Sequence, residues 1–379
     1  MLLMRRYGDS MTQVPTRQAS VAMRGLGKTA ILLALAAVGA SLAAGVALAQ
    51  APDQAEASAP KPIEFAPGVL TTIDPAPQNE EMFSGPRPLV EVPIAIEGLE
   101  YDPKLNPKAA TVFQRAKTVT LRRTIWNLEL SFKPLRMIYV DIPQPSGKMQ
   151  RKLVWYMVYR VRNMGNHIKP KPVVETVDRE SAAEPDLVHT TYEAEKTNEV
   201  EMFGRTTTDL RFFPHFVLAS SEYDKEYLDR VIPAALAPIR DREFPGREVD
   251  LKNSLTISGM PLPVSDPASN VDHSVWGVVT WVDVDPRIDY YKVFVQGLTN
   301  AYQFEDAEGG FKKGDAPGTG RRFTKKTLQL NFWRPGDTVD PHEEEIRYGC
   351  RIDADPAEQQ AIFAEYGVDK PLDHVWLYR

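Results

Sequence analysis

The residues best suited to chemistry lie in short stretches, and each fails a different test of spacing. Gly27-Lys28-Thr29 has the tail of a phosphate-binding loop, but position 22 is Ala. Such a loop needs glycine there, five residues before its Gly-Lys pair, so that backbone N–H groups can wrap the phosphates. Gly8-Asp9-Ser10 has the order of a serine-nucleophile block but precedes an export signal and is lost with it. The run from His342 to Ile346 carries three glutamates, yet Ile346 stands where a helical zinc site needs its second histidine. Ser258 lacks the flanking glycines of a nucleophile elbow. His273 follows Asp272, but no serine is spaced with them as a triad. Cys350 adjoins Arg351, a cation that favours thiolate; a half-buried strand cysteine is the plainer reading. Asp283, Asp285 and Asp289 in "DVDPRID" supply oxygen ligands of the kind calcium takes. They depart from the EF-hand alternation and enclose Pro286, so turn chemistry between two strands is preferred. These three aspartates are the metal candidates of the sequence. Spacing assigns no catalytic residue and no cofactor.

The elements that must position any site begin after residue 49. Arg24 and Lys28 precede an uncharged apolar run over 29–49, and Ala47-Leu48-Ala49 has the small-x-small pattern of a secretory cleavage site. Residues 1–49 are therefore expected to act as a signal segment, with 23–49 its core, cleaved after Ala49 for export to the periplasm or cell envelope. The alternative is an uncleaved anchor, since about 20 apolar residues can span a bilayer. No second such run follows, so no membrane span is expected after cleavage.

Counting Lys and Arg against Asp and Glu, the chain has 45 basic and 51 acidic residues. Residues 1–49 hold five basic residues and one acidic one, so the remainder has 40 and 50, a net charge of −10. This sign disfavours nucleic acid as a partner. One cysteine excludes an intrachain disulfide and, with no paired histidines, argues against structural zinc.

Residues 50–110 contain 11 prolines and no sustained hydrophobic period, which predicts a Pro-rich tether or strap with a short edge strand in 88–99. Residues 111–379 read as the β domain, with an extension from about 304. In 151–163 Leu153, Trp155, Met157, Tyr159 and Val161 alternate with Val154, Tyr156 and Val158. A strand apolar on both faces is a central one, covered on both sides. Its basic ends, Arg151, Lys152, Arg160 and Arg162, are expected to be solvated. Strands are also expected in 126–142, 210–220, 253–258, 275–284, 290–302, 326–333 and 345–352, with a polar excursion over 164–204. One helical stripe, Tyr227, Leu228, Val231, Ile232, Ala235, Leu236 and Ile239, is interrupted by Pro233 and Pro238. A short helix in 355–368 has Asp355 as N-cap and Gly367 as its stop.

This order of elements predicts a mainly β fold: an antiparallel β-sandwich with one kinked helix and a short C-terminal helix. "LVWYMVYRVRNMGN", "FFPHFVLASSEYDKEYLD" and "VWGVVTWVDV" resemble, in that order, the immunoglobulin-like accessory domains of exported bacterial proteins. With "SFKPLRMIYVD", "GLTNAY" and "LNFWRPGD", the longer pattern is similar to exported proteins of planctomycete-type bacteria. The first resemblance implies that the sandwich is an immunoglobulin-like β-sandwich; neither resemblance implies an activity. The expected role is a non-catalytic envelope protein that binds another macromolecule or supports an assembly. The alternatives are a hydrolase of an exported polymer using surface carboxylates and a calcium-dependent sandwich module.

Overall fold

Alternation of apolar side chains on both faces makes residues 149–162 the spine of the molecule. The computed structural model describes residues 70–91, 116–177, 187–202, 204–335 and 346–379. Within them the chain forms β1 (Thr71–Ile73), β2 (Phe83–Arg87), β3 (Val119–Arg122), β4 (Glu129–Phe132), β5 (Arg136–Pro143) and β6 (Met149–Arg162). There follow β7 (His167–Val177), β8 (Leu187–Thr197), β9 (Val200–Met202), β10 (Arg205–Thr207), β11 (His215–Ser220) and β12 (Lys225–Leu228). Helix α1 (Pro233–Glu243) leads to β13 (Lys252–Asn253), the single-turn α2 (Ser254–Ser258), β14 (Val275–Val282) and β15 (Tyr290–Gln296). The chain closes with β16 (Tyr302–Asp306), β17 (Arg321–Trp333), β18 (Arg347–Tyr348), α3 (Pro356–Tyr366) and β19 (His374–Tyr378).

The fold is mainly β, and its sheets are antiparallel except for the short β13–β14 pair. The first sheet runs β1-β4-β6-β14-β13, with β5 also on β6; the second runs β12-β11-β15-β17-β16, with β18 and β19 on β17. The inner faces of both sheets share one core. Trp155, Met157, Tyr159 and Val161 of β6 and Val279 and Trp281 of β14 meet Phe216, Tyr291, Val293, Leu328, Leu330 and Phe332. The Tyr159 ring lies across Gly277 of the neighbouring strand, where a Cβ would come within 2.4 Å of a ring carbon. Only glycine fits at that crossing.

The outer face of the first sheet is covered as well. Ile232, the N-cap of α1, and Ala235 and Ile239 within it follow at steps of three and four residues and pack on Val154, Tyr156, Val158 and Val278. Pro233 at the first helical position explains why the helix begins there, since its missing N–H has no intrahelical partner to lose. The expected longer helical pattern is therefore cut short. Tyr227 and Leu228 belong to β12, paired with β11, and alternate between half-buried and exposed.

Three further expectations are corrected. The apolar run 126–142 is two strands, because Pro134 cannot continue a ladder; β4 and β5 follow one another along one edge of β6. Residues 254–258 are a helical turn rather than strand, since the Asn253 side chain accepts from the Thr256 N–H and caps it. "DPRID" is the expected turn between two strands, and it carries the chain round a corner from the first sheet to the second. Residues from 304 onward are no appendage, because β17 pairs on both its edges within the second sheet.

The polar excursion is a long β7–β8 hairpin. Pro170 and Pro172 share the register position of Ile168, whose backbone bonds outward to Ile125, so the prolines remove no bond to β8. Within the Pro-rich stretch, β1 pairs with β4, and buried Glu81 makes a 2.6 Å ion pair with Lys326 of β17. The edge strand expected in 88–99 lies outside the described residues from position 92, as does the signal segment 1–49. No helix among the described residues is long and apolar enough to cross a membrane.

Candidate functional site

The cavity of greatest chemical interest lies where α1 ends over the outer face of the first sheet. Its floor follows from strand periodicity. Phe132 points into the core, so Lys133, just beyond β4, turns outward; Tyr159 points in, so Arg160 points out; Trp276 opposes Arg160 across β14. The wall is Glu243, Phe244, Pro245 and Arg247 at the helix end, and Leu70 completes a cavity of about 240 Å³.

Its deep side is a buried charge cluster. The Glu243 carboxylate accepts from Arg136 at 3.0 Å and from the Tyr156 hydroxyl at 2.7 Å, and lies 3.2 Å from the Lys133 ammonium. Lys133 also donates to the Glu243 carbonyl at 2.7 Å, which places a cation at the negative end of α1. All four residues are buried. Burial, helped by the charge of Glu243, pushes the Tyr156 hydroxyl far above its ordinary range, so it stays a donor. Above the cluster, Phe244 meets Trp276 edge-on at 4.9 Å, Lys133 lies 4.5 Å from the Phe244 ring centre, and Arg160 lies 5.7 Å from that of Trp276. Such pairings hold cations and rings together in a partly dry site.

A second cavity, of about 270 Å³, lies at the opposite end of α1. Ile142, Val231, Ile232 and Val282 line it, with Lys152 and Arg230 at its polar side. Lys152 is already paired with Asp283 at 3.0 Å.

The candidates of the sequence are dispersed. Asp283 faces Lys152; Asp285 is held by Arg287 and Lys225; Asp289 lies 3.3 Å from Arg334. The Arg287 guanidinium, with Lys225, holds the Asp285 carboxyl well below the carboxylate range. Three acids with three separate sets of cations are corner-fastening residues, and no group of three metal-ligating side chains forms among the described residues. Ser258 spends its hydroxyl on the Leu255 carbonyl. Asp272 accepts from the Ser274 N–H and lies 4.0 Å from Arg160, while the His273 N–H donates to Ser265. Cys350 is buried beside Ile362 and Tyr366, and burial raises its thiol to about 11; Arg351 turns away to Tyr290 and Asp353. Residues 8–10 and 342–345 lie outside the described residues.

Period-2 alternation alone puts Trp276 and Trp281 on opposite faces of β14, and Arg160 is a basic strand end, but no spacing shows that Trp276 and Arg160 line one cavity with Glu243. The signal was present in "SFKPLRM", where Lys133 and Arg136 interrupt an apolar run on either side of Pro134. The chain matches no protein-family model, no curated protein and no solved structure.

Proposed function

We propose that the protein is an exported, non-catalytic component of the cell envelope, with an immunoglobulin-like β-sandwich that binds another macromolecule through the cavity beside Trp276. Residues 24–49 motivate export to the periplasm or envelope, and the resemblance to exported planctomycete-type proteins agrees with it. The observation that carries the binding reading is the state of Glu243. It is the carboxylate of this cavity, and Lys133, Arg136 and Tyr156 hold it as a buried, paired anion that fastens the helix end to the sheet. What faces the opening instead is Trp276 with cationic neighbours, the composition of a recognition surface.

Cosedimentation tests this with protein-stripped cell-wall polymer from a bacterium that exports the chain. Wild type is expected to pellet, Trp276→Ala to bind about tenfold or more weakly, and no soluble fragments to accumulate. Steady release of fragments by the wild type would establish the hydrolase. Equal pelleting of Trp276→Ala would remove the cavity from the binding role.

A further inference from the structure

The cavity beside Trp276 holds more positive charge than its own partners neutralise. Lys133 is committed to Glu243, whose carboxylate also accepts from Arg136 and Tyr156. Arg160 and Arg247 are not committed in this way. The nearest polar atoms to the Arg160 guanidinium are Ser131 Oγ at 3.4 Å and Asp272 Oδ2 at 4.0 Å, both at the outer limit of useful interaction. Its Nε is buried and makes no hydrogen bond among the described residues. Arg247 lies exposed at the rim and is anchored by its backbone N–H to the Phe244 carbonyl, while its guanidinium has no partner among the described residues.

Two guanidinium groups with unspent donors, beside an aromatic wall, match one ligand chemistry. The planar fork of arginine fits two oxygens of a phosphate or carboxylate at once. We infer that the cavity binds the oxoanion end of a ligand, a phosphate or carboxylate on a ring-sized body, through Arg160 and Arg247, with the body against Trp276 and Phe244. This inference rests on the binding role proposed above and names its ligand class.

Size and charge restrict the ligand further. A volume of about 240 Å³ is below the ~300–1,000 Å³ of sites that engulf a whole drug-sized molecule. The cavity therefore takes one end group of a larger molecule. The chain beyond residue 49 has a net charge of −10, so its surface at large repels polyanions. Recognition must then come from this local arginine pair rather than from a diffuse basic field.

The test is titration calorimetry on the full chain with inorganic phosphate, glucose 6-phosphate and glucuronate. It is run beside NMR of the Trp276 indole N–H, assigned with Trp276→Phe. Saturable binding of glucose 6-phosphate with glucuronate silent assigns a phosphate ligand, and the reverse assigns a carboxylate. In either case binding shifts the Trp276 resonance and weakens as salt is raised. Arg160→Gln and Arg247→Gln are each expected to weaken it about tenfold, and the double variant to abolish it. Arg247 is exposed and its side chain supports nothing else, so Arg247→Gln tests the site even where Arg160→Gln misfolds. No response to any of the probes, or undiminished binding by Arg247→Gln and the double variant, overturns the inference. If the polymer still pellets wild type but not Trp276→Ala while all the probes are silent, only the oxoanion assignment falls. If neither polymer nor probes bind, the binding role falls with it.

Discussion

Glu243 shows how one buried side chain can hold a helix to a sheet. Two cations and a hydroxyl converge on it from β5, β6 and the β4–β5 break, all of them buried. Glu243→Gln keeps the shape but leaves Lys133 and Arg136 buried without their counter-charge. A loss of about 3–5 kcal/mol is expected, measured by urea unfolding. His167 is a second buried group with a measurable signature. Its Nδ1 accepts from the Asn127 N–H at 3.3 Å, and burial lowers its pKa to about 4. The unfolded chain binds the proton near pH 6.5, the folded one only near 4, so folding prefers the neutral ring. Stability is thus complete above about pH 6.5 and declines as pH falls towards 4, by up to ~1.4 kcal/mol per pH unit. Unfolding series across this range should show that slope in wild type and lack it in His167→Gln. Equal slopes would assign the acid sensitivity to other groups.

Among the elements, β6 and β14 carry the core on one face and the helix contact on the other. Trp281 is fully buried between the sheets, whereas Trp276 on the opposite face of the same strand is half-buried at the cavity. Trp281→Ala should therefore cost about 3–5 kcal/mol, and Trp276→Ala clearly less, as read from thermal melts. A Trp281→Ala melt matching wild type would contradict the shared core. These two strands were the most legible part of the sequence, because period-2 alternation fixes both faces without knowledge of any partner. The corner at "DPRID" was not, since the same turn residues serve a hairpin and a crossing between sheets. Nor was the coil-to-helix step at Asn253, where one side-chain hydrogen bond outweighs the β-rich composition of "SLTI". The cavity was half legible. The outward parity of Arg160 and Trp276 could be counted, but Glu243 reaches Arg136 across 107 positions, and no local pattern records that distance.

At the scale of the whole molecule, the two sheets complete each other only late in the chain. The inner face of the first sheet is in place by Val282, but it packs on β15 and β17, and β17 ends at Trp333. Glu81 receives its hydrogen bond from Tyr378 across 297 positions and its ion pair from Lys326. A chain built from its amino end exposes Trp155, Tyr159 and Trp281 for as long as the second sheet lacks its middle strand. Such topologies fold slowly because distant segments must meet before burial compensates for their ordering. The growing chain therefore stays open until β17 has been made. For a chain proposed to be threaded through a membrane channel, this is a favourable sequence of events. The element that would jam the channel, a finished two-sheet core, cannot form until β17 has been synthesised.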